Sequence, residues 1–147
     1  MKPPGADASE TYSPMICGIG IDVVNVERLK QAVERWGPHF LRRVFSDHEI
    51  EYCYRKRDPY PHLAARFAAK EAMTKALASL RDAGQMPSTY ITALRHFEVV
   101  NQPDGRPFLK PLYPFLPEDL TIHLSLSHEK ETAVAAVVLE RRGDERL

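Results

Sequence analysis

Two carboxylates and a group of cations carry the chemistry that this chain could perform. The run Arg66-Phe67-Ala68-Ala69-Lys70-Glu71-Ala72-Met73-Thr74-Lys75-Ala76-Leu77 sets Glu71 among Arg66, Lys70 and Lys75, and upstream Gly18-Ile19-Gly20-Ile21-Asp22 ends an alternating apolar segment on an aspartate. Asp22 and Glu71, if brought together, would suit magnesium, which takes one or two carboxylates and completes its shell with water and substrate phosphates. The neighbouring cations would neutralise a diphosphate. The chemistry implied is phosphoryl transfer, in which positioning and charge neutralisation do most of the catalysis. The same residues admit a plainer account: Glu71 and Lys75 have the spacing of an ordinary helical ion pair worth about 0.3 kcal/mol, and the glycine pair could mark a bend or bulge.

The elements that must position these groups follow from periodicity. No glycine or proline interrupts residues 62–83, and alanine, leucine, methionine, lysine and glutamate dominate there, so a helix is predicted. Leu63, Met73, Leu77 and Leu80 form one apolar stripe on it, and Ala65, Ala68, Ala69, Ala72 and Ala76 a second, smoother one, which predicts packing on two sides. Residues 15–24 alternate as a strand, with Met15, Cys17, Ile19, Ile21 and Val23 on one face and Ile16, Gly18, Gly20, Asp22 and Val24 on the other. The glycines clear that second face for a close approach by a backbone or a ligand. The third glycine of a dinucleotide-binding fingerprint is missing.

Asn25 can cap a helix that Gly37-Pro38 stops after Trp36. Its Arg28, Lys30 and Arg35, with Arg42 and Arg43 beyond, make either a solvated basic face or a docking surface for an acidic protein. Ser46 and Glu49 fit a capping box for a second helix reaching about Arg57. His39, His48 and His62 lack metal-ligand spacing and are read as surface residues. Residues 97–101 and 106–109 flank Gln102-Pro103-Asp104-Gly105, a hairpin signal, and 111–117 reads as a proline-rich loop. Residues 121–127 alternate, with Ile122, Leu124 and Leu126 inward, and 132–139 reads as a buried strand. Strand, helices, then strands predicts an α+β fold with a mostly antiparallel sheet packed on a central helix.

The chain's 147 residues suit one domain over 15–140, with a flexible extension over 1–14 and a charged tail over 141–147. Acidic and basic residues balance at 20 each, so no global field argues for nucleic acid or a membrane surface. Cys17 and Cys53 have no C-x-x-C spacing and no secretory segment precedes them, so both read as free thiols in the cytoplasm. No run approaches the roughly 20 apolar residues of a membrane span.

Taken together, residues 18–24, Arg28, the central run from Arg66 to Ala76, the Asp-Gly-Arg-Pro hairpin and Leu124-Ser125-Leu126-Ser127-His128 resemble the motif series of the holo-acyl-carrier-protein synthase family, over nearly all of 16–140. The resemblance implies the 4'-phosphopantetheinyl transferase fold and transfer of phosphopantetheine from coenzyme A to a serine of apo acyl carrier protein. Adenosine 3',5'-bisphosphate would be released, in the service of fatty acid biosynthesis. It also implies a magnesium site at Asp22 and Glu71, and catalytic roles for Glu71, Lys75 and His128. Coenzyme A would be bound by Arg66, Lys70, Lys75 and His128, the acyl carrier protein by Arg28, Arg35 and Arg43. The assembly implied is a homotrimer with active sites between subunits. Three positions depart from the family pattern: Ala78–Gly84 replaces a glycine-rich turn, so that the helix should run on; Glu129 follows His128; and Asn25 stands at a commonly acidic position. A non-catalytic member of the same fold and a small α+β interaction domain are the rival readings.

Overall fold

The computed structural model describes residues 13–84 and 94–143. The N-terminal extension up to residue 12 and the tail from 144 lie outside the described residues. Strand β1 (Met15–Asn25) is followed by helices α1 (Val26–Val44), α2 (Asp47–Tyr54) and α3 (Tyr60–Asp82), and then by β2 (Phe97–Asn101), β3 (Pro107–Pro111), β4 (Leu120–His128) and β5 (Thr132–Arg141). The order β1-β5-β4 makes a three-stranded sheet and β2-β3 a hairpin, and every pairing among the described residues is antiparallel. This is the predicted α+β arrangement, with α3 at its centre.

Both apolar stripes of α3 are buried, from Leu63 and Ala65 to Leu77 and Leu80. Its first turns pack with Val26, Leu29, Val33, Leu41 and Val44 of α1 and Cys53 of α2. Its later turns pack with Phe97, Val99 and Leu109 of the hairpin and with Ala135, Val137 and Leu139 of β5. The alanines let β1 come close. A Cβ added to Gly20 would lie 1.9 Å from the Ala72 carbonyl oxygen, and one added to Gly18 would lie 2.6 Å from that of Ala76. The cleared face of β1 is thus filled by the backbone of α3.

The opposite face of β1 is bare: Ile19, Ile21 and Val23 are 60–68 % exposed. Alternation fails at the start of the strand, because the β1–β5 register shifts between Ile16 and Gly18. This bulge turns Cys17 partly inward, its Sγ 3.6 Å from the Leu139 carbonyl oxygen, and leaves Ile16 exposed, the reverse of the predicted assignment. Cys53 is fully buried.

Gly37-Pro38 produces a kink instead of a stop. Gly37 adopts φ 63°, and the chain re-enters helix as far as Val44. Asn25 caps α1 by accepting the Arg28 amide at 3.0 Å, and Ser46 and Glu49 form the predicted capping box. Helix α2 ends at Tyr54, short of the predicted Arg57, whereas α3 runs on past Ala78 to Asp82, as the altered segment implies.

The contact between β1 and α3 sets the first prediction. Gly20→Ala forces two backbones apart and is expected to lower stability by about 2–3 kcal/mol, read as a lower denaturant midpoint at unchanged slope. An unaltered midpoint would refute the close approach.

Candidate active site

Asp22 is delivered by the strand register. It pairs with Ala135 on the inner face of the sheet, two residues beyond Gly20, so it emerges where the strand has just crossed α3. On α3, Lys75 reaches across to β1 and donates to the Ile21 carbonyl oxygen at 2.8 Å and to Asp22 Oδ1 at 3.1 Å. This cross-element pair takes the place of the helical Glu71–Lys75 pair that the spacing allowed. Glu71, one turn earlier, lines a cleft of about 400 Å³ together with Asp22, Asn25, Arg28, Phe40 and Phe67. Burial pushes the Glu71 carboxyl up, the nearby Asp22 charge adds to this, and Lys75 opposes it.

The donor set fits a hard divalent cation. Two carboxylates share one cleft, and their mutual repulsion is what a cation would relieve. Among the described residues no group of three or more His, Cys, Asp or Glu side chains could hold a metal. The remaining positions of an octahedral shell would therefore fall to water and substrate oxygens, the usual arrangement for magnesium.

The basic residues divide. Arg28 forms part of the wall of the carboxylate cleft. Arg43 lines a neighbouring groove of about 750 Å³ with Trp36, His39, Phe40, Phe67 and Arg95, joined to the first cleft through the shared Phe40 and Phe67. Arg35 lies 5.0 Å over the ring of Trp36, whose side chain is exposed. All three arginines face solvent.

Lys70 is a correction. Proposed from the resemblance as a coenzyme A ligand, it is 1 % exposed and points to the far side of α3. There its ammonium donates to Glu49 Oε1 at 2.5 Å, to the Val44 carbonyl oxygen at 2.8 Å and to the Leu94 carbonyl oxygen at 3.1 Å. Glu49 in turn accepts the Ser46 amide at 2.8 Å and the Val99 amide at 2.9 Å. One helical step of about 100° separates Lys70 from Glu71 and sends the two side chains to different surroundings. Glu49 was legible as a cap but not as the partner of this buried ion.

Arg66 and His128 share a second, separate cleft of about 200 Å³, lined also by Tyr52, His62, Asn101, Pro107 and Leu126. The Arg66 guanidinium lies 4.1 Å over the Tyr52 ring, and its Nη2 donates to Asn101 Oδ1 at 2.7 Å. His62, read from sequence as a surface residue, is half-buried, edge-on to His128 with ring centroids 5.0 Å apart. Its place four residues before Arg66 on α3 was the available signal. Asn101 and Tyr52 offered none, because only the fold brings them to Arg66. The structure therefore joins Asp22, Glu71, Lys75 and Arg28 in one site and Arg66 and His128 in another.

Comparison with known proteins agrees with this architecture. Residues 18–138 match the family model of the 4'-phosphopantetheinyl transferase superfamily. The chain is 43 % identical over 126 residues to the holo-[acyl-carrier-protein] synthase of Thermodesulfovibrio yellowstonii, covering 85 % of this chain and 99 % of that one. It is 41 % identical over 125 residues to that of Chlorobium luteolum, covering 82 % and 97 %. Its fold is similar to the crystal structure of a holo-(acyl-carrier-protein) synthase from Bacillus anthracis in complex with CoA (3',5'-ADP), at TM-score 0.67 and 33 % identity over 86 % of this chain and 98 % of that one. Two carboxylates held by a glycine strand against an alanine helix, within a match spanning residues 18–138, lead to one assignment: the chain belongs to the holo-acyl-carrier-protein synthase family of 4'-phosphopantetheinyl transferases.

Proposed function

We propose that this enzyme transfers the 4'-phosphopantetheine group of coenzyme A to a serine of apo acyl carrier protein in a magnesium-dependent reaction, releasing adenosine 3',5'-bisphosphate, in the cytoplasm and for fatty acid biosynthesis. The observation that carries the reading is the meeting of Asp22 and Glu71 in one cleft, with Lys75 on its rim. Asp22 and Glu71 would hold the magnesium, which when bound supplies charge neutralisation at the coenzyme A diphosphate.

The carrier serine oxygen forms the new bond to the pantetheine-side phosphorus as the bond to the bisphosphate leaving group breaks. The serine is not this chain's own, so the protein's work is to bind, orient and neutralise charge. The Lys75 ammonium is more than half exposed and already bridges β1 to α3, which leaves it able to turn toward a diphosphate oxygen. Glu71 would assist in taking up the serine proton as well as ligate. Arg28 beside the carboxylate cleft and Arg35 and Arg43 along the kinked α1 form the surface for an acidic carrier, with the groove at Trp36 and Phe40 beneath them.

The assembly in this reading is a homotrimer with active sites between protomers. Two features favour it. Strand β1 lies at the sheet edge, and its Ile19, Ile21 and Val23 form an exposed apolar row that continues onto Val134, Ala136 and Val138 of β5. Such a contiguous face is the mark of an interaction surface. The cleft of Arg66 and His128, assigned to the nucleotide, is separate from that of Asp22 and Glu71, so one coenzyme would be completed by two protomers.

Three measurements test these assignments. Asp22→Ala and Glu71→Gln are each expected to lower magnesium-dependent modification of apo carrier by about 100-fold or more at little cost in thermal stability. Intact-protein mass spectrometry of the carrier reads the gain of phosphopantetheine, and near-normal turnover in both variants would refute the metal site. Arg28→Glu is expected to raise the KM for carrier on the order of tenfold while the KM for coenzyme A changes much less; equal changes would remove Arg28 from the docking surface. Ile21→Glu is expected to yield monomers by light scattering with loss of transfer, and an intact trimer would refute the assembly through this face.

A further inference from the structure

The small cleft at the meeting of α2, α3, β2 and β4 is organised around the Arg66 guanidinium. Arg66 is 4 % exposed, its Nη2 is taken by Asn101, and its buried Nε has no hydrogen-bond partner among the described residues. A buried, unpaired guanidinium N–H is costly, so the arrangement points to an acceptor supplied from outside. The two imidazoles that line the same cleft, those of His62 and His128, stand side by side. The Lys56 ammonium adds positive charge nearby, 4.8 Å from the centre of the same Tyr52 ring that Arg66 overlies.

The chemistry that satisfies one orphan guanidinium N–H and two imidazoles is a phosphomonoester. Its charge rises to nearly two and it offers three acceptor oxygens, and arginine is the side chain best matched to it. On the functional reading given above, the diphosphate of coenzyme A belongs with Asp22 and Glu71, and the only other phosphate of that molecule is the ribose 3'-phosphate. We propose that His62 is a specificity-determining residue for the 3'-phosphomonoester of coenzyme A, acting with Arg66 and His128 as a cationic ligand of that phosphate. The proposal rests on the transferase reading for the identity of the ligand.

A proton balance follows. In the free protein the groups facing His62 are His128 from β4, Lys56 from the end of α2, Arg66 from its own helix, Asp58 from the turn before α3, and the Tyr52 ring of α2. Burial lowers the His62 pKa, then His128, Lys56 and Arg66 lower it further, and Asp58 alone opposes them. The free imidazole is therefore neutral at pH 7, whereas a phosphate dianion placed beside it raises its pKa. Binding takes up a proton, and the gain in affinity is present at low pH and lost as pH rises through the bound-state pKa. The phosphate's own second ionisation is common to wild type and His62 variants, so their comparison removes it.

The test is calorimetric titration of the full chain with adenosine 3',5'-bisphosphate and with adenosine 5'-monophosphate, at about pH 6 and about pH 8, either side of the ordinary histidine pKa of about 6.5. His62→Gln and His62→Phe are compared with wild type, the phenylalanine keeping a ring against His128. In both variants the preference for the bisphosphate is expected to fall about tenfold at the lower pH and less than about twofold at the higher. An equal loss at both pH values, or a loss shared by the monophosphate, would overturn the assignment and leave His62 a packing residue. Wild-type protein that shows the pH-dependent preference but modifies no carrier would refute the transferase reading alone. Wild-type protein that modifies carrier without preferring the bisphosphate would refute the His62 proposal alone.

Discussion

The approach of β1 to α3 is the constraint on which the rest depends. Gly18 and Gly20 face the carbonyls of Ala76 and Ala72 with no room for a side chain on the strand. Alanine on the helix and glycine on the strand are thus two halves of one contact, and neither can be enlarged without moving a backbone. Because that contact is fixed, the next inward residue of the strand, Asp22, falls beside the helix turn that carries Glu71 and Lys75. The candidate metal site is a by-product of packing: the carboxylates meet because the elements bearing them cannot separate or slide.

A second tie holds the other side of α3. The Lys70–Glu49 pair is fully buried and saturated, with α1, α2, β2 and the segment at Leu94 each contributing a backbone group or a side chain. Buried ions add little net stability relative to apolar packing, but removing one partner strands the other charge. Its structural effect here is to fix where α1 ends relative to α3, and so where Arg43 and Phe45 stand. Three successive polar positions on one helix, Arg66, Lys70 and Glu71, thereby serve three different environments.

Local chemistry was legible in the sequence where a residue's neighbours in space are its neighbours in the chain. The cap at Asn25, the box at Ser46 and Glu49, the hairpin at Asp104-Gly105 and the double stripe of α3 are all of this kind. The glycine face was legible as a close approach, and the helix backbone occupies it. What could not be read was set by contacts between distant segments. The destination of Lys70 depends on Glu49, 21 residues away, and the pairing of Arg66 with Asn101 on a partner 35 residues away. His62 reads as a surface histidine until β4 brings His128 beside it. The bulge at Cys17 leaves no mark on the alternation of a strand whose early residues are all apolar or small.

The cysteines bear on redox chemistry. Coenzyme A, on the proposed reading, brings a free thiol to the protein at every turnover, and thiol–disulfide exchange proceeds through the thiolate of whichever partner can ionise and be reached. Burial pushes Cys53 up to about 11 and encloses its sulfur completely, while the bulge folds Cys17 against the Leu139 carbonyl with its pKa also raised by burial. Cys53 presents no accessible thiolate at neutral pH, and burial disfavours ionisation of the half-buried Cys17. Enclosure of its sulfur keeps Cys53 from forming mixed disulfides with the coenzyme, while the Leu139 contact and partial burial slow the same exchange at Cys17.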